Sequence, residues 1–203
     1  AATLTWPGGT GELSLSVPGR HNLHNAAAAF AVGLQLGLDP EPLLEGARRF
    51  GGTERRFQLV GEVAGIRVVD DYAHHPTEIA ATLKAARAAA GTGRVVACFQ
   101  PHLYSRTRDF ATEFGAELAR ADVVVVTDVY AAREQPMEGV TSELVVAAAK
   151  DAGADVTYVP ALDDVPGALA DLVHPGDLVL TLGAGDITTA GPRLVSLLEA
   201  ARG

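Results

Sequence analysis

Cysteine is nearly missing from this 203-residue chain. Cys98 stands alone, so no internal disulfide can form, and its setting in the apolar run RVVACF reads as a buried structural thiol. Long hydrophobic runs are missing too. The longest are short and interrupted, such as Val123-Val124-Val125-Val126 and Leu178-Val179-Leu180, and none approaches the roughly 20 residues a membrane-spanning helix needs. The first residues, AATLTWPGGT, carry no basic region followed by an apolar stretch, so no signal peptide is expected and the cytoplasm is the default. Lysine occurs only at Lys84 and Lys150, leaving arginine to supply the positive charge. Acidic residues outnumber basic ones 25 to 16, for a net charge of −9, which argues against phosphate-backbone binding to nucleic acid. The phosphate loop GxxxxGK[ST], the GxSxG elbow, CxxC and HExxH are all absent. What remains is an apolar fraction of 48%, enough for a packed core.

From about residue 57 the chain alternates β-branched runs with helical segments. Residues 57–63 and 66–70 flank Ala64-Gly65 as a hairpin. A helix over 76–90 opens on Pro76, whose missing N–H costs nothing at a first helical position. Strands are expected at 94–99, 122–127, 155–159 and 177–182. Helices are expected at 106–120, from an N-cap at Thr141 to 152, at 164–173 and at 187–201. Such repeats imply an α/β fold with a doubly wound, mostly parallel sheet covered on both faces. Residues 1–56 differ, with strands expected at 4–6 and 12–17 and helices at 22–36 and 40–50. Two strands and two helices are not expected to close a core, which leaves Phe30, Leu34, Leu43 and Leu44 in need of a partner.

Ligands of such sheets bind at the carboxyl ends of the strands. Those ends read Asp70-Asp71-Tyr72-Ala73-His74-His75, Gln100-Pro101-His102-Leu103-Tyr104-Ser105-Arg106, Asp128-Val129-Tyr130 and Gly183-Ala184-Gly185-Asp186. The first could hold a ribose, a metal or an amine, or could be a connector whose Asp71 binds loop amides. The second opens a helix where an anion could bind, with Arg106 and Arg108 to clamp it. The glycine turn lacks the third glycine of a dinucleotide fingerprint and reads as close backbone packing. Asn22 and Asn25 share a helix face and could read a purine edge, with helix capping by Asn22 the alternative.

Taken in order, GRHNLHNAAA, ERRF, DDYAHHPTEI, FQPHLYSRT, DVYAAREQP and GAGDI resemble the Mur ligases over essentially the whole chain. The strings DDYAHHPTEI and FQPHLYSRT are most similar to the branch that joins L-alanine to UDP-N-acetylmuramate. The murein tripeptide-recycling branch is less similar, and a stand-alone nucleotide-binding module is the alternative from another class. The resemblance implies that residues 1–56 end a central ATP-binding domain and that 57–203 form the C-terminal Rossmann-like domain. The N-terminal domain and the rest of the central domain would then lie outside this chain, which alone would be inactive.

The implied chemistry is ATP-dependent activation of a muramoyl carboxylate as an acyl phosphate, followed by attack of the L-alanine amine, in peptidoglycan synthesis. The cofactors would be ATP and Mg2+, with most magnesium ligands outside this chain. By the same resemblance Asn22 and Asn25 lie near the adenine, and Arg56 and Asp71 near the ribose and phosphates. His74 and Arg106 are the catalytic candidates, and Tyr72, His75, His102 and Arg108 the substrate-binding ones. Leu103 stands where some members carry arginine, which shifts that cationic contact onto Arg106 or Arg108. Neither nucleic acid nor membrane is an expected partner.

Overall fold

Short-range chemistry sets most of the element boundaries. The computed structural model describes residues 1–17 and 19–201, which separate into two units, 1–53 and 54–203. The expected boundary followed residue 56. Arg55 and Arg56 go instead with the second unit, where the Arg55 carbonyl accepts the Tyr72 N–H at 2.6 Å.

In the first unit, β1 (Ala2–Trp6) and β2 (Gly9–Leu13) pair antiparallel across Pro7-Gly8, where Gly8 takes φ 96°. The second strand therefore lies earlier than the expected 12–17, because the tight turn fixes the register Trp6 to Gly9. Helix α1 (Arg20–Gln35) starts from Gly19 at φ 106°, without a side-chain cap, so Asn22 lies inside the helix and does not cap it. It ends on Gly37, where the Leu38 N–H reaches the Gly33 carbonyl and the Gly37 N–H reaches Leu34, a Schellman stop. Helix α2 (Pro40–Arg49) begins on proline.

Contrary to expectation, these elements do bury a small cluster of Leu13, Phe30 and Leu44, with Leu34 and Leu43 packed against it. Trp6 meets Phe30 with ring centroids 5.0 Å apart. Gly33 admits Leu43 where a Cβ would come within 2.6 Å of it. The large apolar side chains left exposed here are Val32, Leu36, Leu38 and Phe50.

In the second unit, β3 (Gln58–Val63) and β4 (Ile66–Asp71) form the antiparallel hairpin, turning at Ala64 and Gly65, both at positive φ. The remaining strands are β5 (Val95–Phe99), β6 (Val123–Val126), β7 (Val156–Tyr158) and β8 (Leu178–Leu182). The six-stranded sheet has the order β3-β4-β8-β5-β6-β7, parallel from β4 onward. Its continuous valine and leucine runs are buried on both faces, as parallel strands require.

Helices α3 (Pro76–Ala90), α4 (Tyr104–Leu118) and α5 (Glu143–Asp151) cover one face through Ile79, Leu83, Phe114, Leu118 and Val145. Helices α6 (Val165–Leu172) and α7 (Ala190–Ala200) cover the other through Leu169 and Leu194. Thr141 does not cap α5 from the N-cap position, which is Ser142; its hydroxyl accepts the Glu143 N–H from one residue earlier. Short 3-10 turns at Leu162–Asp164 and Asp186–Thr189 lead into α6 and α7. Cys98 is fully buried within β5, and burial pushes its thiol up to about 12.

Helices α4 and α5 approach closely at Gly115, where an added Cβ would sit 2.4 Å from the Ala148 carbonyl carbon. Backbone cannot yield as a side chain can. Gly115→Ala is therefore expected to cost about 1–3 kcal/mol of stability through forced helix separation. Urea unfolding followed by circular dichroism would show this as a lower midpoint at unchanged slope.

Candidate active site

Strand β8 lies between β4 and β5, yet the chain leaves it for the opposite face of the sheet. The loops after β4, β5 and β8 thus part at a topological switch point, the place where open parallel sheets bind ligands. Four rings run in a row across this edge. Tyr72 meets His74 edge-on at 5.1 Å, His74 meets His102 at 5.8 Å, and His102 stacks on Tyr130 at 5.7 Å. The His102 and Tyr130 segments are joined by a parallel bridge.

Three side chains hold the floor of this row. Asp70, almost fully buried, accepts from Arg55 Nε at 3.0 Å, from Thr181 Oγ1 at 2.6 Å and from Thr188 Oγ1 at 2.9 Å. Arg55 then donates to the Gly183 carbonyl at 2.6 Å, tying the ends of β4 and β8 together. Gln100 bonds both Asp186 and the Ile187 N–H, and so pins the glycine turn. A Cβ on Gly185 would lie 2.4 Å from Gln100 Oε1 and 2.5 Å from Tyr130 Cγ. Close packing is thus what these glycines serve.

Asp71 is buried, and its two oxygens accept the Ala73 and Phe57 N–H groups at 2.8 Å each. Burial raises its pKa, and these bonds offset the rise only in part. His75 caps α3, its Nδ1 accepting the Thr77 N–H, and its ring edge packs on Phe110 at 4.9 Å. The Asp71 oxygens and His75 Nδ1 therefore serve loop and helix backbone.

Arg56 stays half exposed beside the Tyr72 ring, its guanidinium carbon 5.7 Å from the centroid and Nη1 3.9 Å from Glu78. Arg106 is partly buried and donates to His102 Nδ1 at 3.2 Å. Burial, then the positive charge of Arg106, lowers the His102 pKa, so the neutral ring is the one that Arg106 meets. Arg108 is exposed and pairs with its neighbour Asp109.

The first turn of α4, expected to receive an anion, already has one. Glu134, from the loop after β6, accepts the Ser105 N–H at 2.9 Å and its hydroxyl at 2.5 Å. The Ser105 hydroxyl and then its amide hold the Glu134 carboxyl below the usual range. Leu103, the residue that begins this helix, has φ 71° and no side-chain cap of its own. Arg55, Asp70, Glu78, Gln100 and Glu134 were not singled out from sequence. The strings ERRF, DDYAHHPTEI, FQPHLYSRT and DVYAAREQP contain them, but spacing alone does not say which members turn inward.

Tyr72, His74, His102, Arg56 and Arg106 thus come together at one edge. Asn22 and Asn25 belong to the first unit and line a cavity of about 330 Å³ there, with Phe30, Leu43 and Phe50. The lining is mainly apolar, with the two amides and Thr53 as its polar side chains. Among the described residues, no three histidine, cysteine or acidic side chains converge to hold a metal ion.

Residues 55–185 match the family described as Mur ligase, glutamate ligase domain. This chain belongs to the Mur ligase family. It is 61% identical over 200 residues to the UDP-N-acetylmuramate–L-alanine ligase of Cutibacterium acnes, which covers 98% of this chain and 42% of that protein. The same-named protein of Kineococcus radiotolerans is 57% identical, with 98% and 42% covered. The solved MurC, UDP-N-acetylmuramate–alanine ligase, of Thermotoga maritima superimposes with a TM-score of 0.76 at 32% identity, covering 93% of this chain and 40% of that one. A murein peptide ligase of Psychrobacter arcticus shares the fold, with a TM-score of 0.72 at 24% identity over 97% of this chain and 41% of that one. This Mur ligase chain therefore spans about two fifths of the length of these relatives. Among the described residues, no helix is long and apolar enough to cross a membrane.

Proposed function

We propose that this chain is the amine-receiving part of an ATP-dependent ligase that joins L-alanine to UDP-N-acetylmuramate in peptidoglycan synthesis. The observation that carries the reading is the ring row Tyr72–His74–His102–Tyr130 with Arg56 and Arg106 beside it. The 61% identity to a ligase of that name over nearly the whole chain supports it. ATP, when bound by the complete enzyme, supplies the phosphoryl group that makes the muramoyl carboxylate reactive. Its use together with a nucleotide sugar would put the reaction in the cytoplasm.

The residues then divide the work. Arg106 takes the carboxylate of L-alanine, because a planar guanidinium fork matches it. His74 receives the proton of the attacking amine. Its Nδ1 lies 2.9 Å from the Tyr72 carbonyl, which only accepts, so the proton sits on Nδ1 and Nε2 carries the lone pair. His102 has the opposite tautomer. Its Nδ1 accepts from Arg106, which leaves Nε2–H to donate to charge developing on the acyl oxygen. Arg56 meets phosphate, and the cavity at Asn22 and Asn25 receives the base. Asp71 and His75 hold the loop that carries Tyr72 and His74, and Arg108 stays at the surface.

The test is phosphate release by the full-length protein. Release is expected to require UDP-N-acetylmuramate and L-alanine together. Release with murein tripeptide and none with L-alanine would move the protein to the recycling branch and end this reading.

A further inference from the structure

Glu78 has no place in the scheme above, yet it reaches three of the residues named there, His74, His75 and Arg56. Its Oε2 accepts the His74 N–H at 3.0 Å and the His75 N–H at 3.2 Å, and lies 3.4 Å from His74 Nδ1. Its Oε1 lies 3.9 Å from Arg56 Nη1. One carboxylate thus fixes the backbone on which His74 sits, stands against the ring nitrogen that carries the proton, and borders the phosphate-binding arginine. Part of this is ordinary helix chemistry, since Glu78 is the third residue of α3 and closes a capping box with His75. A cap needs only a hydrogen-bond acceptor. It does not need a negative charge beside an imidazole.

We infer that Glu78 is a positioning residue for the amine step: it locks His74 with its proton on Nδ1 and balances the positive charge that the ring gains when Nε2 takes a proton from the amine. The inference rests on the proposed role of His74. The charged and titratable groups around that ring are Glu78 on α3, Tyr72 on its own loop, His102 after β5, Arg106 on α4 through His102, and Arg56 ahead of β3. Glu134, after β6, and Arg133 beside it also act on the ring through His102, but Glu134 is engaged by Ser105. Among the described residues Glu78 is the carboxylate within 3.4 Å of the His74 ring, so removing its charge takes the nearest anion from the imidazolium.

Glu78→Gln separates the two functions, because glutamine also serves in a capping box but carries no charge. In the full-length enzyme, the melting temperature of Glu78→Gln is expected to stay near wild type, and that of Glu78→Ala to fall. At neutral pH, kcat of Glu78→Gln should drop about tenfold, within the range of lost acid–base assistance, while the Michaelis constant for L-alanine stays within about twofold. The defect should narrow as pH rises and free amine becomes abundant. In a His74→Ala background the glutamine substitution should have almost no further effect.

Wild-type kcat in Glu78→Gln would overturn the inference. So would a loss equal at every pH, a loss that adds fully to His74→Ala, or a glutamine variant that melts as low as the alanine one. Absence of alanine-dependent phosphate release from the wild-type protein would instead remove the proposed function itself.

Discussion

Arg106→Ala in the full-length enzyme is expected to raise the Michaelis constant for L-alanine about ten- to a hundredfold and to leave that for ATP within about twofold. A charge-assisted hydrogen bond contributes about 1.5–3 kcal/mol, and 1.4 kcal/mol is a factor of ten in an equilibrium constant. Arg106 is suited to that contact for a structural reason. The α4 amide at Ser105 is already bonded to Glu134, so a side-chain cation must hold the carboxylate. The candidate second cation, Arg108, is turned to Asp109 at the surface. Arg108→Ala is the matched control, with little expected change in either constant. Initial-rate measurements with each substrate varied in turn would decide. Equal weakening toward both substrates from Arg106→Ala would show a general loss of the site and remove the assignment.

Much of the second unit is legible in the sequence because local and global signals agree there. Pro76 opens α3 at the expected residue, since its ring suits the first helical turn. The short β-branched runs of β5 and β6 read as strands buried on both faces, and they are. The direction of those strands alone brings Tyr72, His74, His102 and Arg106 to one edge. The first unit is harder to read. Its core is three side chains brought together from β2, α1 and α2, and no periodicity announces so small a cluster. Leu13 is buried, whereas the apolar Val32 on α1 and Leu36 just after it are exposed, a division that depends on which helix face α2 covers.

In the site, what escaped the sequence was the supporting layer. Adjacent arginines look alike in ERRF, but Arg55, at φ 58°, turns in to Asp70 while Arg56 stays at the surface. Adjacent aspartates look alike too, but side chains alternate along a strand. Asp70 thus meets Arg55 and the threonines, and Asp71 meets the loop amides. The Asp70 pairings form across 15 to 118 residues of sequence and have no local signature.

That supporting layer is where the largest loss of stability is expected. Arg55→Ala should destabilise the folded chain by about 3–5 kcal/mol, the typical cost of removing one partner from a buried ion pair. The Asp70 carboxylate would keep only the hydroxyls of Thr181 and Thr188, in a setting that leaves its side chain 3% exposed. The Gly183 carbonyl would lose its donor as well. Backbone strain does not account for the loss, because alanine and arginine suffer alike at the positive φ of residue 55. Asp70→Asn should cost less, since an amide still accepts from a hydroxyl and leaves no buried charge. In the double variant Arg55→Ala with Asp70→Asn, the loss should be smaller than that of Arg55→Ala alone, because no unpaired carboxylate remains. Urea unfolding of the four proteins closes the cycle. If the two single losses simply added, the pair would be energetically uncoupled, and Arg55 would be anchored by its bond to Gly183 and its place over the Tyr72 ring instead of by Asp70.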